Sequence, residues 1–438
     1  MKKTILIFFS IALLFSFFSS CKQKKDILSI DGNGLQHQCV HRLTDVIVYD
    51  ILTPPVASRI YAYSNLAYYE ALRFKESGVT SFTTEMKGFG TMPAPERNKQ
   101  YNYSLAAVKS FFKVAKALSF SKDSLAITEK NLLKEFQNTI TSDVYKNSIA
   151  LGDTIAAVIL NRAATDNYKK TRGMPKYNVF KEPGKWQQTP PDYTDATEPN
   201  WLLIKPLLPD SATQCKATAP PSYDLHKNSR YYRELMEVYT VTKKITPLQD
   251  TIAHYWDDNP FVTKHTGHLT FATKKTTPGG HWIGIVSILC KQTHASEMKT
   301  AKIYALTASA IFDGIIYCWD EKYRSGMVRP ITVIRENIEP NWTSLLQTPP
   351  FPEYTSGHSV ISAAAAAILT FQLGDNIAFH DTTEQEYLGL ERSFTSTRQA
   401  ADEAGMSRLY GGIHYRAAIE EGRKQGQEVG KLYNSVFK

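Results

Sequence analysis

The chain has 438 residues, 42% of them hydrophobic and 12% aromatic, and a formal net charge of +9 from 51 Lys and Arg against 42 Asp and Glu. That apolar content supports a packed core and excludes a natively disordered chain. No basic stripe with interleaved aromatics runs through the sequence, which excludes a nucleic-acid binder and leaves a solvated surface plus a local anion pocket.

Lys2-Lys3, the mostly apolar run Ile5 to Phe18 and then Phe18-Ser19-Ser20-Cys21 read as a bacterial lipoprotein export signal. A run of 14 residues is too short to span a bilayer as a stable helix. The expectation is a signal peptide over 1–20, a lipidated Cys21, a tether over 21–44 and a single helical domain over 45–438. The protein would then sit in the bacterial cell envelope, periplasmic or surface-exposed, and meet the membrane through its lipid anchor only.

From there the pattern is helical. Val56 to Phe74 follows Pro54-Pro55 with Ile60, Tyr63, Ala67 and Ala71 on one face, and Tyr103 to Leu118 repeats the spacing. Ser121 to Asn138 and Ser142 to Thr165 follow. Thr165 to Leu208 is rich in Pro, Gly and aromatics and reads as a long irregular insertion, with a second polar loop from Asp210 to Ser222. Helices resume over Ser229–Thr242, Pro247–Trp256, Trp282–Gln292 and Ser296–Arg324. The last three are Ser359–Leu373, Thr395–Tyr410 and a final one from His414 to about Tyr433. The fold class expected is all-α.

Cys39 and Cys215 lie in loop-like sequence where export would permit a disulfide, whereas Cys290 and Cys318 sit in apolar helical patterns and read as buried thiols. His265-x2-His268 lacks the i, i+4 spacing of a helical metal site and has no evident third ligand.

The C-terminal third carries the chemistry. Lys322-x6-Arg329-Pro330, Ser356-Gly357-His358 and Ser407-Arg408-x5-His414 follow one another within residues 322–414. Arginine offers planar bidentate donors and lysine a compact charge, the types that hold a tetrahedral or trigonal-bipyramidal oxyanion. Ser356 and Gly357 stand at the start of a helix, where free amides and the dipole favour an anion. Histidine can serve as nucleophile, ligand or acid–base group.

This ordered trio resembles the signature of the superfamily that joins vanadium-dependent haloperoxidases and type-2 phosphatidic acid phosphatases. Trp319, three residues before the lysine, and Phe351-Pro352-Glu353-Tyr354 resemble the haloperoxidase branch. So do Ala57-Ser58-Arg59-Ile60-Tyr61-Ala62-Tyr63 and Pro278-Gly279-Gly280-His281-Trp282, more loosely. The resemblance implies a helical bundle of the acid phosphatase/haloperoxidase type, its signature-bearing half spanning about 280–436. It implies vanadate or phosphate held by Lys322, Arg329, Ser356, Gly357 and Arg408. His414 would be the catalytic residue that bonds the central atom, axial to vanadium, and His358 the acid–base residue. Trp319, Phe351 and His281 would line the pocket.

Three readings stay open. One is a haloperoxidase using vanadate, hydrogen peroxide and halide. The second is a periplasmic phosphatase without cofactor, acting on a phosphate ester through a phosphohistidine. The third is a non-catalytic anion-binding lipoprotein. One departure bears on the choice: Ala418 stands where the family commonly has an aspartate that orients the last histidine. Glu420, Glu421 or a backbone carbonyl are the candidates to replace it.

Overall fold

The computed structural model describes residues 32–438 except 180, 210–213 and 261, so the expected signal peptide and Cys21 lie outside the described residues. The N-terminal half is built from α1 (Leu35–Tyr49), α2 (Pro54–Leu72), α3 (Tyr103–Leu118), α4 (Asp123–Thr139), α5 (Ser142–Ala164) and the short α6 (Tyr168–Arg172). An irregular stretch follows. The C-terminal half contains α7 (Arg230–Lys243), α8 (Pro247–Tyr255), α9 (Pro278–Gln292), α10 (Glu297–Ser325), α11 (Pro330–Asn337), α12 (Gly357–Leu373), α13 (Gln385–Leu388), α14 (Thr397–Tyr410) and α15 (Arg416–Val436). Two antiparallel hairpins interrupt it, β1 (Thr263–Thr266) with β2 (Leu269–Ala272), and β3 (Phe379–Asp381) with β4 (Arg392–Phe394). The helical class expected from the sequence is therefore found, with two small hairpins added.

The helix ends follow local chemistry. Thr53, Asn102, Thr141, Ser229, Thr246, Thr277, Ser296, Ser356 and Ser396 each cap a helix N-terminus with a side-chain oxygen. Proline occupies the first turn of α2, α8, α9 and α11, where no amide is needed.

One apolar core runs from Leu35 to Phe437, with α2 and α10 packed together at its centre. Helix α10 is long and apolar enough to cross a membrane by composition, yet 94% of its apolar window is buried among other helices. The alanine-rich α12 packs against α10, α14 and α15. A Cβ at Gly422 would sit 2.8 Å from the Ser356 carbonyl, and one at Gly426 would collide with that of Val360. Glycine on α15 thus lets the two backbones approach, which fixes the start of α12, where two signature residues sit.

One expectation fails. Residues 35–44 are not tether but the first helix, with Leu35, Cys39, Val40 and Leu43 buried. Cys39 and Cys215 form no disulfide; they are buried free thiols, as are Cys290 and Cys318.

Candidate oxyanion-binding site

The signature residues converge from helix ends. Lys322 lies in the last turn of α10, Arg329 immediately precedes α11, Ser356 caps α12, and Arg408 ends α14. His414 sits in the short connection from α14 to α15. Groups held at the ends of rigid helices keep their positions better than groups on free loops.

Three cationic side chains are brought together with almost no solvent contact: Lys322 and Arg329 are fully buried and Arg408 is 1% exposed. Lys322 Nζ donates to the carbonyls of Pro352 (3.0 Å) and Glu353 (2.9 Å). Arg329 donates from Nε to the Phe351 carbonyl (2.9 Å) and from Nη1 to the Ile413 carbonyl (2.8 Å). Arg408 Nη1 donates to the Trp256 carbonyl at 2.6 Å, and Asp257 stands 3.9 Å from Nη2. The remaining donors, Arg329 Nη2 and Arg408 Nε and Nη2, meet no hydrogen-bond acceptor among the described residues. Burial depresses Lys322 to about 7 and Arg329 to about 10. Such desolvated, partly unpaired cations are costly unless an anion meets them.

The two histidines occupy different environments. Burial and the nearby Arg329 keep His414 neutral, well below the ordinary range. Its Nδ1 donates to Glu353 Oε1 at 2.8 Å, and its Nε2 accepts from Arg329 Nη1 at 3.1 Å. Glu353 thus selects the tautomer that turns the Nε2 lone pair towards the cations. The same Glu353 oxygen accepts the Tyr415 amide at 2.9 Å. Burial pushes the Glu353 carboxyl up to about 7. His358 lies in the first turn of α12, is also held neutral by burial and Arg408, and is tied to the Trp256 backbone. Its Nε2 has no hydrogen-bond partner and faces Asp258 Oδ2 at 3.7 Å.

A small cavity of about 30 Å³ opens onto this group, lined by Gly357, His358, Arg408 and His414 together with Asp258 and Asn259. The rest of the lining is apolar: Pro54, Pro260, Pro278, Trp319, Pro349, Phe351, Ile361 and Ile413. The Trp319 and Phe351 rings pack with centroids 5.1 Å apart, and Phe351 lies beneath Lys322 and Arg329 at 5.0 and 5.1 Å.

Of the residues expected at the site, the cations, Gly357, both histidines, Trp319 and Phe351 are brought together, and Ser356 caps α12 next to Gly357 with its Oγ accepting from the Ser359 amide and hydroxyl. His281 is not a wall residue; it is fully buried behind Asp258, to which its Nδ1 is hydrogen-bonded at 3.0 Å. The substitute for the missing aspartate is also not one of those expected. Glu421 bonds Lys424 and the Thr218 amide, and Glu420 lines a different cavity. Glu353 takes the role from a distant loop, while the Ala418 carbonyl accepts the Ser356 amide at 3.0 Å. Glu353 stood in the sequence as the variable position of Phe-Pro-x-Tyr, and Asp258 as one of two aspartates after a helix; neither had a spacing that marked it.

Known proteins share the fold and the region that carries the signature. Residues 302–438 match the family model of the VCPO second helical-bundle domain. A solved bacterial vanadium-dependent iodoperoxidase is 43% identical, with a TM-score of 0.88, over 93% of this chain and 97% of its own. A bacterial vanadium-dependent chloroperoxidase in its holo form is 17% identical, with a TM-score of 0.67 over 88% of this chain and 93% of its own. An apo form is 16% identical, with a TM-score of 0.64 over 90% and 94%; at such identities the likeness is one of fold. No curated protein matches the chain.

Proposed function

The chain belongs to the vanadium-dependent haloperoxidase family, and from that premise we propose that it oxidises iodide with hydrogen peroxide, using vanadate as its prosthetic group. The observation that carries the reading is the set of unmet donors on Arg329 and Arg408 beside the inward-facing Nε2 of a neutral His414. A multiply charged tetrahedral oxyanion fits that set: it needs cations, hydrogen-bond donors and one nitrogen ligand.

Vanadate, when bound, supplies the Lewis-acidic centre that activates hydrogen peroxide towards halide. The chain does the rest. Lys322, Arg329 and Arg408 would balance the oxyanion charge away from water, and the Ser356 hydroxyl and Gly357 amide would donate to it. Glu353 holds the His414 ring so that Nε2 stays unprotonated and directed inward. His358 Nε2, neutral and without a partner, takes up a proton from incoming hydrogen peroxide, and Asp258 stabilises the imidazolium that results. The wall of Trp319, Phe351, Ile361 and prolines excludes water and suits a large, weakly hydrated halide. Iodide is preferred on that ground and on the likeness to the iodoperoxidase.

The test compares vanadate-loaded and vanadate-free protein for peroxide-dependent oxidation of iodide, bromide and chloride, and for hydrolysis of a phosphate ester. Vanadate-dependent turnover highest with iodide is expected. Ester hydrolysis alone would establish the phosphatase reading, and bound vanadate without turnover the non-catalytic one. We also propose that Cys21 carries a lipid anchor, supported by the Ser19-Ser20-Cys21 run after the apolar segment. A Cys21→Ser chain that keeps its processing and membrane association would refute it.

A further inference from the structure

A second buried cluster lies behind the His358 side of the cavity. Fully buried His281 projects from α9 and is stacked on by Trp256, with ring centroids 4.5 Å apart. Its Nε2 is 2.9 Å from Asp381 Oδ2, and its Nδ1 is 3.0 Å from Asp258 Oδ1 and 3.6 Å from Glu384 Oε1. Asp258, Asp381 and Glu384 are each at most 1% exposed. Both Glu384 oxygens and Asp258 Oδ2 have no hydrogen-bond partner among the described residues. Three carboxylates around one imidazole leave an excess of negative charge away from water. Lys275, close enough to favour the charged form of Glu384, is already paired with Asp257 at 2.6 Å. Unpaired polar atoms in a native core call for an ion or a water.

A cation satisfies the arrangement. Asp381 accepts the Nε2 proton of His281, so a cation can take the Nδ1 lone pair in place of the proton that Nδ1 otherwise donates to Asp258; carboxylates orient metal-bound imidazoles in this way. Nδ1, an Asp258 oxygen and a Glu384 oxygen lie within 4.8 Å of one another. Donors about 2.0–2.2 Å from a tetrahedral ion stand about 3.4 Å apart, close to the separation of Nδ1 from Glu384. We propose that Asp258, His281 and Glu384 bind a divalent transition-metal cation of the zinc class, with Asp381 as the residue that orients the imidazole. One nitrogen and carboxylate oxygens suit such an ion and disfavour soft monovalent copper. The site shares no ligand with the oxyanion cage. Its consequence for catalysis would pass through Asp258, whose other oxygen faces His358 Nε2 at 3.7 Å. The bound cation would pin that carboxylate.

The experiment uses the full chain, without an affinity tag and free of vanadate, so that its outcome is independent of the haloperoxidase reading. The protein is stripped with a chelator, incubated with Zn²⁺, separated by gel filtration and assayed for metal. About one equivalent is expected on the wild type, with at least about a tenfold drop in Glu384→Gln and His281→Gln, as for loss of a ligand. Glu384→Gln preserves shape, so it guards against simple misfolding in the histidine variant. Zn²⁺ should raise the Tm of the wild type and not that of Glu384→Gln. Less than half an equivalent on the wild type, or equal metal and equal Tm response in Glu384→Gln, overturns the proposal. The cluster would then be cation-free, with a charged His281 and a protonated Glu384.

Discussion

Two pairs of buried arginines divide the molecule between them. In the N-terminal half, Arg59 donates to Asp166 and the Ala163 carbonyl, both at 2.7 Å, and its guanidinium lies 4.4 Å from the Tyr168 ring centroid. Arg162 is bound by the Lys87, Lys205 and Pro206 carbonyls and by the Tyr63 hydroxyl. Among the described residues, no fully buried nitrogen of either lacks a partner. In the C-terminal half, Arg329 and Arg408 are buried as deeply but keep three nitrogens unmet. Burial alone therefore does not mark an arginine as functional. The difference lies in whether the fold completes the donor set or leaves it for a ligand.

The largest expected effects come from the histidines that complete the open pair. His414→Ala should lose bound vanadium after reconstitution. His358→Ala should retain it while turnover falls by roughly 10²–10⁴-fold, as for lost acid–base catalysis. Equal retention in both variants, or loss in His358→Ala alone, would contradict the assignment.

The arginines themselves give the direct contrast. Arg59→Ala strands Asp166 in the core and should cost about 3–5 kcal/mol in denaturant unfolding, with vanadate affinity of the folded fraction unchanged. Arg329→Ala and Arg408→Ala should each weaken vanadate binding at least about tenfold, since a charge-assisted hydrogen bond is worth roughly 1.5–3 kcal/mol. Each should cost the vanadate-free chain less stability than Arg59→Ala, because the partners left behind are mainly backbone carbonyls and not a directly paired carboxylate. Lysine should rescue only partly because the planar fork is gone. Equal stability losses in both pairs, or unchanged vanadate affinity in Arg329→Ala and Arg408→Ala, would erase the distinction.

Glu353→Gln removes the charge that orients His414 and should lower vanadate affinity by roughly 10–100-fold, measured by calorimetry. An unchanged affinity would mean that the Arg329 contact to Nε2 is enough to hold the ring.

The smallest effect is a pH dependence. Burial lowers Lys322 to about 7 in the anion-free chain, so its contribution to stability is present above its unfolded value of 10.5 and is lost as pH falls towards 7. A bound oxyanion favours the ammonium form and reverses that preference. Vanadate binding should therefore take up protons near and above pH 7, and affinity should fall as pH rises. Calorimetry in buffers of different ionisation enthalpy reads this directly, and Lys322→Met should abolish the Lys322 share of the uptake.

The helices with regular apolar spacing were legible in the sequence almost to the residue, as in Tyr103–Leu118, because caps and periodicity are local. So were the cations and histidines, since family spacing ties each to a helix end. Helix α1 was not. Its Gln36, His37 and His41 resemble a polar tether, and only the fold pairs Gln36 with Asn65 and His37 with Tyr304 across the core. The carboxylates escaped for the same reason. Glu353 and His414 are 61 positions apart, and Asp258, His281 and the neighbouring Asp381 and Glu384 come from three separate segments. The sequence by itself determined which groups carry charge and which helix ends bear them, since those depend on residue type and near neighbours. Only the tertiary structure decided which carboxylate meets which imidazole and which arginine is left with unmet donors, because those depend on distant segments packing to within a hydrogen bond's length.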